Sequence, residues 1–240
     1  MSSTAFSTTT GVTVPAVTAS EMREVDRVAV ETVGLDLLQM MENAGRNLAA
    51  HCRHLREAGP VIVLAGAGGN GGGGLACARH LSNQDVPVRV VLDREPDELG
   101  GAAEQQYRVL NAGDVEISPA LDRFESIGLV VDALIGYGLR DAPRGRPAEL
   151  IDWLSRTPAP ILSLDVPSGI DATTGATPGV VVEPDRTLTL ALPKTGLRNV
   201  PGALYLADIA IPAVVFRSLD IPYDNPFEDE YWVALEKPAE

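Results

Sequence analysis

The sequence contains few cysteines, few lysines and few aromatic residues. Cys52 and Cys77 are the only cysteines among its 240 residues, which excludes a framework of several disulfide bonds. We expect both to be buried free thiols, because a cytosolic chain of this size needs no covalent bridge. Of the 19 basic residues, only Lys194 and Lys237 are lysines, and aromatic residues make up 5% of the chain.

Basic charge and long apolar runs are also scarce. The 33 acidic residues outnumber the 19 basic ones, which gives a formal net charge of −14 and argues against nucleic acid as a partner. No stretch approaches the roughly 18 apolar residues of a membrane-spanning helix. Residues 1–10 lack the basic start and apolar middle of a signal peptide. We therefore expect a cytoplasmic protein that binds no membrane.

What the sequence does contain is alternating strand and helix patterns. With 45% hydrophobic and 22% charged residues, it suits one globular domain over residues 15–240, preceded by a flexible tail over residues 1–14. Short apolar runs predict buried strands at 61–64, 86–92, 129–131, 161–164, 188–192 and 204–211. Helical patterns lie between several of these runs, which predicts an α/β fold with a mostly parallel, doubly wound sheet.

Two helices are predicted before the first of these strands, and a docking segment at the end. Thr18 and Glu21 form a capping box that begins one helix, and Gly34 separates it from a second helix that starts near Leu37. Segment 224–240 is acidic and aromatic, and we expect it to dock on the body of the domain.

Seven glycines occupy nine positions between Gly66 and Gly74. This segment follows a predicted strand and precedes a helix near Leu75, where free backbone N–H groups favour an anion such as a phosphate or a dinucleotide. The spacing of its glycines also fits G-x-G-x-x-G, and Asp93 ends the next strand, so an NAD-dependent oxidoreductase remains an alternative. The glycines run beyond that fingerprint, however, and the chain has no Tyr-x-x-x-Lys pair.

Two further strands end in an acid, at Asp132 and at Asp165. Ligands of open α/β sheets bind beyond the carboxyl ends of the strands. Asn70, Asp132 and Ser168 offer oxygen ligands only, which suits potassium, magnesium or calcium, and one carboxylate among neutral oxygens best matches a monovalent ion. Asp165 is a candidate general acid–base. The three histidines have no metal-ligand spacing. For Lys194, contact with a phosphate and exposure to solvent both remain open.

Several motifs together resemble one known family. They are Gly66-x-Gly-x-x-Asn70-Gly-Gly-x-Gly74-Leu75, Met41-Glu-Asn-Ala-Gly45-Arg46, Val131-Asp132-Ala133, Asp165-Val-Pro-Ser168-Gly169 and Lys194-Thr-Gly196-Leu197. In this order, from about Val17 to Ile211, they are similar to the YjeF N-terminal domain family, whose enzymes are NAD(P)H-hydrate epimerases.

The resemblance implies a fold, an activity and partners. The fold is a Rossmann-like three-layer α/β/α sandwich with a mostly parallel central sheet, usually in a homodimer. The activity is an isomerase reaction of metabolite repair, in which the R and S forms of hydrated NADH or NADPH (NADHX and NADPHX) interconvert. A separate dehydratase would then restore the S form, since no dehydratase domain is recognisable in this chain.

The resemblance also implies site residues. Asn70, Asp132 and Ser168 would bind a potassium ion, and Asp165 would carry a proton while the hydroxyl leaves and water returns to a planar iminium intermediate. The residues assigned to the substrate are Gly69, Asn70, Gly71, Gly72, Gly73, Gly136, Tyr137, Gly138, Leu139, Arg140, Asp141, Ala142 and Asp165.

The glycine segment departs from the family pattern. The family usually has Asn-Asn-Gly-Gly-Asp-Gly where this chain has Gly69 to Gly74, so the first Asn and the Asp are both replaced by glycine. Loss of the acid at Gly73 supports an alternative, a non-catalytic nucleotide-binding or scaffold module of the same fold. The retained Asn70, Asp132 and Ser168 argue for a working site.

Overall fold

The computed structural model describes residues 5–121, 124 and 126–238, which form one mixed sheet with flanking helices. Its strands are β1 (Ala5–Thr8), β2 (Thr13–Pro15), β3 (Val61–Ala65), β4 (Val88–Leu92), β5 (Glu116–Ser118), β6 (Leu129–Ala133), β7 (Ile161–Leu164), β8 (Arg186–Leu190), β9 (Ala203–Ala207) and β10 (Trp232–Glu236). Its α-helices are α1 (Ala19–Arg27), α2 (Leu37–Leu55), α3 (Gly69–Ser82), α4 (Gly101–Asn111), α5 (Gly145–Leu154) and α6 (Ala213–Ser218).

The strand order in the described part of the chain is β2-β1-β10-β9-β8-β7-β6-β3-β4-β5. The seven strands from β9 to β5 are parallel, whereas β10, β1 and β2 are antiparallel to their neighbours. Every residue of β3, β6 and β7 is buried. Apart from Asp132 and Ser163, these strands are apolar, because helices cover both faces of the sheet. The predicted α/β fold with a mostly parallel sheet is confirmed.

The two faces of β3 define the layers. Val61, Val63 and Ala65 pack in one cluster with residues of α2, α3 and α4. Ile62 and Leu64 point the other way and pack in a second cluster with residues of α5. The sheet therefore lies between two helical layers. Within the described residues, no helix is long and apolar enough to cross a membrane.

Both ends of the chain belong to the sheet. Phe6 in β1 and Val14 in β2 are buried, and β1 pairs with β10. Residues 5–14 are thus not the flexible tail expected of residues 1–14, because Phe6 and Thr8 alternate with less buried residues and form the buried face of a strand. β10 lies between β1 and β9, so the final segment docks on the domain as predicted.

The sequence reading of the first helices and of the cysteines is also confirmed. Thr18 and Glu21 form the capping box of α1, and Gly34, with a positive φ of 83°, ends the π-helical turn Val28–Val33 that follows α1. Cys52 and Cys77 are buried free thiols on adjacent helices, with their sulfur atoms 3.8 Å apart.

A buried histidine on α2 touches the parallel and antiparallel parts of the sheet. The His51 ring lies edge-on to Tyr205 and Trp232, with centroids 4.9 and 5.2 Å away, and its Nδ1 is 3.2 Å from the Arg186 guanidinium. Its Nε2 has no partner among the described residues. Burial, together with the positive charge of Arg186, lowers the pKa of His51 to about 3. The folded protein therefore holds this ring neutral.

We predict that His51 makes the fold sensitive to acid. The unfolded chain protonates this histidine near pH 6.5 and the folded chain near pH 3, so the free energy of unfolding falls as the pH drops through this window. The contribution of one such group is at most about 5 kcal/mol. Urea unfolding of His51→Phe should show a shallower loss of stability between pH 6.5 and pH 4 than the wild type. The exposed His54→Phe serves as the control, and an equal slope in His51→Phe would contradict the assignment.

Candidate active site

A cleft of about 750 Å³ opens where β3, β6 and β7 end. Segments that follow these strands line it with Asn70, Gly136 and Asp165, and α1 contributes Arg23 and Asp26. This is the position at which open α/β sheets bind their ligands. The structure thus brings the three polar strand ends predicted from the sequence into one site.

The glycine segment is mostly helix rather than loop. Gly68 is the N-cap of α3, which begins at Gly69 instead of near Leu75 as predicted. None of the glycines from 66 to 74 has a positive φ. Close packing explains them instead: a Cβ at Gly71 would lie 1.6 Å from the Gly66 carbonyl oxygen, and one at Gly74 would lie 2.7 Å from the Ala133 Cβ.

This packing places the beginning of α3 at the cleft. Gly68, Gly69, Asn70 and Gly73 line it. The backbone N–H groups of a first helical turn have no acceptor within the helix, and the helix dipole adds positive potential there. The site therefore offers an anion the N–H groups that the sequence analysis expected, although from a helix instead of a loop.

Asp132 lies at the end of β6 and is completely buried. Its carboxylate accepts hydrogen bonds from Ser168 Oγ (2.6 Å), Ser168 N (2.9 Å), Ser163 Oγ (2.8 Å) and Leu134 N (3.3 Å). Burial raises the pKa of Asp132, while these donors oppose the shift. Ser163 was not predicted as a site residue, because its only signal in the sequence is a single hydroxyl among the apolar residues of β7.

The other two proposed cation ligands face the same turn. Asn70 Nδ2 donates to the Leu164 carbonyl at 3.0 Å, and its Oδ1 lies about 3.0 Å from the position of a Cβ on Gly136. Ser168 Oγ accepts from the Ile135 N–H at 2.9 Å. The side chains of Asn70, Asp132 and Ser168 thus gather around residues 134–136.

The donor set of these three residues fits a monovalent cation. It provides one carboxylate and neutral oxygens, and no Lys, Arg or His pairs with Asp132 in the described part of the chain. The same part holds no group of three or more His, Cys, Asp or Glu side chains that suits a metal ion. A divalent ion of high charge density would call for more carboxylates than this turn supplies.

Asp165 and Lys194 form a buried ion pair beside the cleft. Asp165 is 3% exposed and Lys194 is 1% exposed, and Lys194 Nζ donates to Asp165 Oδ1 and to the Leu190 carbonyl. Oδ1 also accepts from the Leu190 N–H at 3.2 Å and Thr189 Oγ1 at 3.3 Å. Oδ2 lies 3.4 Å from the position of a Cβ on Gly136, on the side of the cleft. One oxygen is therefore saturated and the other faces the cleft.

The structure excludes one of the two environments that the sequence left open for Lys194. The side chain is buried and bound to Asp165 and the Leu190 carbonyl, so it is not exposed to solvent. It lines the cleft, and its contact with a phosphate stays a prediction. Asp165 has a positive φ of 66°, which is uncommon for a residue with a side chain and turns its carboxylate toward Lys194.

The proposed substrate residues reach the cleft only in part. Gly69, Asn70, Gly73, Gly136, Tyr137, Gly138 and Asp165 line it. Gly71 and Gly72 face the helix packing instead, and residues 139–142 lie outside the described lining of the cleft. The binding role of those residues stays a prediction.

A second polar pair in the cleft joins α1 to the turn after β6. The Tyr137 hydroxyl donates to Asp26 Oδ2, and the Tyr137 ring centroid lies 5.7 Å from Lys194 Nζ and 5.9 Å from the Arg23 guanidinium carbon. Burial raises the pKa of Asp26 and that of Tyr137. Asp26 was not predicted as a site residue, because its only signal in the sequence is an acid directly after Val25 of an amphipathic helix.

Asp93 does not line the cleft. Its carboxylate is bound by two nitrogens of the adjacent Arg94, at 2.8 and 3.1 Å, and it is not among the residues that line the site. The oxidoreductase alternative therefore loses the acid on which it relied for ribose binding.

Comparison with known proteins relates the chain to proteins of cofactor repair. NAD(P)H-hydrate epimerase of Dehalogenimonas lykanthroporepellens is 46% identical over 237 residues, which cover 96% of this chain and 96% of that protein. The bifunctional NAD(P)H-hydrate repair enzyme Nnr of Salinibacter ruber is 37% identical over 225 residues, which cover 84% of this chain and 42% of that longer protein.

A solved structure and a family match agree with these relatives. The crystal structure of yeast ynu0 superposes with a TM-score of 0.78 at 26% identity, covering 93% of this chain and 99% of that one. The family described as YjeF-related protein N-terminus matches residues 37–196, from the start of α2 to the turn after Lys194. The chain therefore belongs to the family of YjeF-related N-terminal domains.

Proposed function

We propose that this chain is an NAD(P)H-hydrate epimerase, an isomerase that interconverts the R and S forms of hydrated NADH and NADPH. The observation that carries the proposal is a carboxylate, Asp165, with one free oxygen in a cleft that also holds the N-terminus of α3. The 46% identity to a protein named NAD(P)H-hydrate epimerase, over nearly the full chain, supports it.

The cleft has features suited to such a substrate. Its volume of about 750 Å³ falls in the usual range for sites of small molecules and cofactors. The N–H groups at the beginning of α3 would bind phosphate oxygens, and residues 136–142 would contact the remainder of the nucleotide. The hydrated ring would then lie near Asp165.

The chemistry requires proton transfer to and from the oxygen that is bound to one carbon of the ring. The hydroxyl at carbon six leaves as water after it takes up a proton, and the lone pair of the ring nitrogen forms a planar iminium. Water adds to either face of this intermediate and releases a proton. Lys194 holds Asp165 through Oδ1, which leaves Oδ2 toward the cleft, so Asp165 is suited to accept the proton of the returning water.

Asn70, Asp132 and Ser168 would hold a potassium ion in this proposal. The bound cation would balance the buried charge of Asp132 and fix the turn at residues 134–136, which lines the cleft. The support is the donor set alone: one carboxylate with no cationic partner among the described residues, and neutral amide and hydroxyl oxygens.

A non-catalytic scaffold is not favoured. Gly73, which stands where the family usually has Asp, lines the cleft. A Cβ at Gly73 would lie 2.8 Å from Leu164 Cδ2, so the Leu164 side chain fills the space beside this position. The Asp165–Lys194 pair is nevertheless present and buried. A module that only binds nucleotide has no need of a buried ion pair with one carboxylate oxygen left free.

The remaining features of the proposal concern partners and location. We place the enzyme in the cytoplasm as a homodimer, with a separate S-specific dehydratase that consumes its product. The two relatives differ in how much of their length this chain matches, which is 96% of the Dehalogenimonas epimerase and 42% of the bifunctional Salinibacter enzyme.

The activity is tested with the R form of NADHX and an S-specific dehydratase. The purified protein should consume the R form faster than spontaneous epimerisation does, and potassium should accelerate it over a buffer whose only cation is a bulky organic ammonium. A folded protein that binds nucleotide but gives only the spontaneous rate would contradict the proposed function. Equal rates with and without potassium would show that the cation has no part in the proposed function.

The role of Asp165 is tested by Asp165→Asn. Loss of a general acid–base group typically lowers kcat by a factor of about 100 or more. Because Asn leaves Lys194 buried without a counter-charge, the double variant Asp165→Asn with Lys194→Met provides a second folded background. The exposed Asp152→Asn on α5 is the matched control. Full epimerase activity in folded Asp165→Asn would refute this role.

A further inference from the structure

The cleft holds a second carboxyl group that the proposed reaction has not used. Asp26 projects from α1 into the cleft and binds the Tyr137 hydroxyl, and no Lys, Arg or His forms an ion pair with it in the described part of the chain. Asp165 comes from the end of β7 and is bound to Lys194. The two carboxyl groups therefore come from different elements that line one cleft, and only Asp165 has a cationic partner in direct contact.

The surroundings of Asp26 favour its protonated form. Asp26 is partly buried, and desolvation is the largest cause of its raised pKa. The groups that face it are the Tyr137 hydroxyl, the Lys194 ammonium, the Asp165 carboxylate and, across the Tyr137 ring, Arg23. Tyr137 and Lys194 lower the pKa of Asp26, while Asp165 raises it. A pair of acids in unequal environments is the arrangement that separates a proton donor from a proton acceptor.

Epimerisation at one carbon benefits from such a separation. The hydroxyl departs from one face of the ring, and inversion requires that water return to the opposite face. A single fixed carboxyl group serves only the face that it touches. Two groups from different elements would allow a proton to be delivered on one face of the ring while another is removed on the other.

We propose that Asp26 is a second catalytic residue, which serves the face of the ring opposite to the face served by Asp165. This assignment rests on the proposed epimerase function. In one direction, protonated Asp26 gives its proton to the departing hydroxyl, the carbon–oxygen bond breaks, and water leaves the iminium. A new water then bonds to the opposite face and gives its proton to Asp165.

The protons balance over a full cycle. After this turnover Asp26 is ionised and Asp165 is protonated, which is the state required for the reverse conversion. Exchange of protons with solvent through the open cleft returns the enzyme to its starting state. Tyr137 is a positioning residue in this scheme: its hydroxyl holds Asp26 in place and stabilises its ionised form.

The test uses the full chain, both epimers and water enriched in oxygen-18. The variant Asp26→Asn keeps an acceptor for the Tyr137 hydroxyl but cannot transfer a proton. We expect its kcat for epimerisation to fall by a factor of about 100 or more, with little change in KM. Because Asp165 remains, the variant should still exchange the hydroxyl oxygen of one epimer with solvent, without inversion.

Three results would overturn this inference or its basis in distinct ways. Wild-type kcat in Asp26→Asn would show that Asp26 carries no proton. Equal loss of epimerisation and of oxygen exchange in both epimers would show a structural role only. If the wild type itself fails to epimerise, the proposed function fails, whatever Asp26 does. Glu24 lies on the same helix but not in the lining of the cleft, so Glu24→Gln is the matched control for the change from carboxylate to amide.

The variant Tyr137→Phe supplies an independent readout. Removal of the hydroxyl takes away a hydrogen bond that lowers the pKa of Asp26, so that pKa should rise. Activity that needs protonated Asp26 declines as the pH rises through this pKa. The alkaline limb of the kcat profile should therefore move to higher pH, and an unmoved limb would contradict the assignment.

Discussion

The buried ion pair between Asp165 and Lys194 is the interaction on which the site depends. It ties the end of β7 to the segment after β8, because Lys194 also binds the Leu190 carbonyl and Asp165 accepts from the Leu190 N–H. Removing two charges from water costs more than the pair recovers unless further hydrogen bonds satisfy them. Those bonds are present, and they hold Asp165 in a backbone conformation that a residue with a side chain rarely adopts.

This pair sets the electrostatics of the cleft. It saturates one oxygen of Asp165 and leaves the other toward the space lined by Gly136, while Lys194 lies between Asp165 and the ring of Tyr137. Asp26 is held by the hydroxyl of that ring. Two acids from different elements thus line one cleft, which is the arrangement that the proposed proton transfers require.

The parts of the fold that the sequence predicts are those with a strong local pattern. Strands such as β3 are apolar at every position because both faces are covered, and acids at the ends of β6 and β7 mark the edge at which ligands bind. The glycine pattern gave a wrong prediction of a loop where α3 begins, because these glycines are required by close packing and not by positive φ angles. The sequence pattern does not predict contacts between residues that are distant in sequence. Asp26 and Tyr137 are separated by 111 positions, and β1 near the start of the chain pairs with β10 near its end.

The most direct test of this account is a double-mutant cycle on Asp165 and Lys194, measured by urea unfolding near pH 7. The account predicts that Lys194→Met alone lowers the free energy of unfolding by about 3 kcal/mol, since it leaves a buried carboxylate without its counter-charge. Adding Asp165→Asn should then restore most of that loss, which gives a large coupling between the two positions. If the two substitutions are simply additive, the ion pair does not organise the site and the account is wrong.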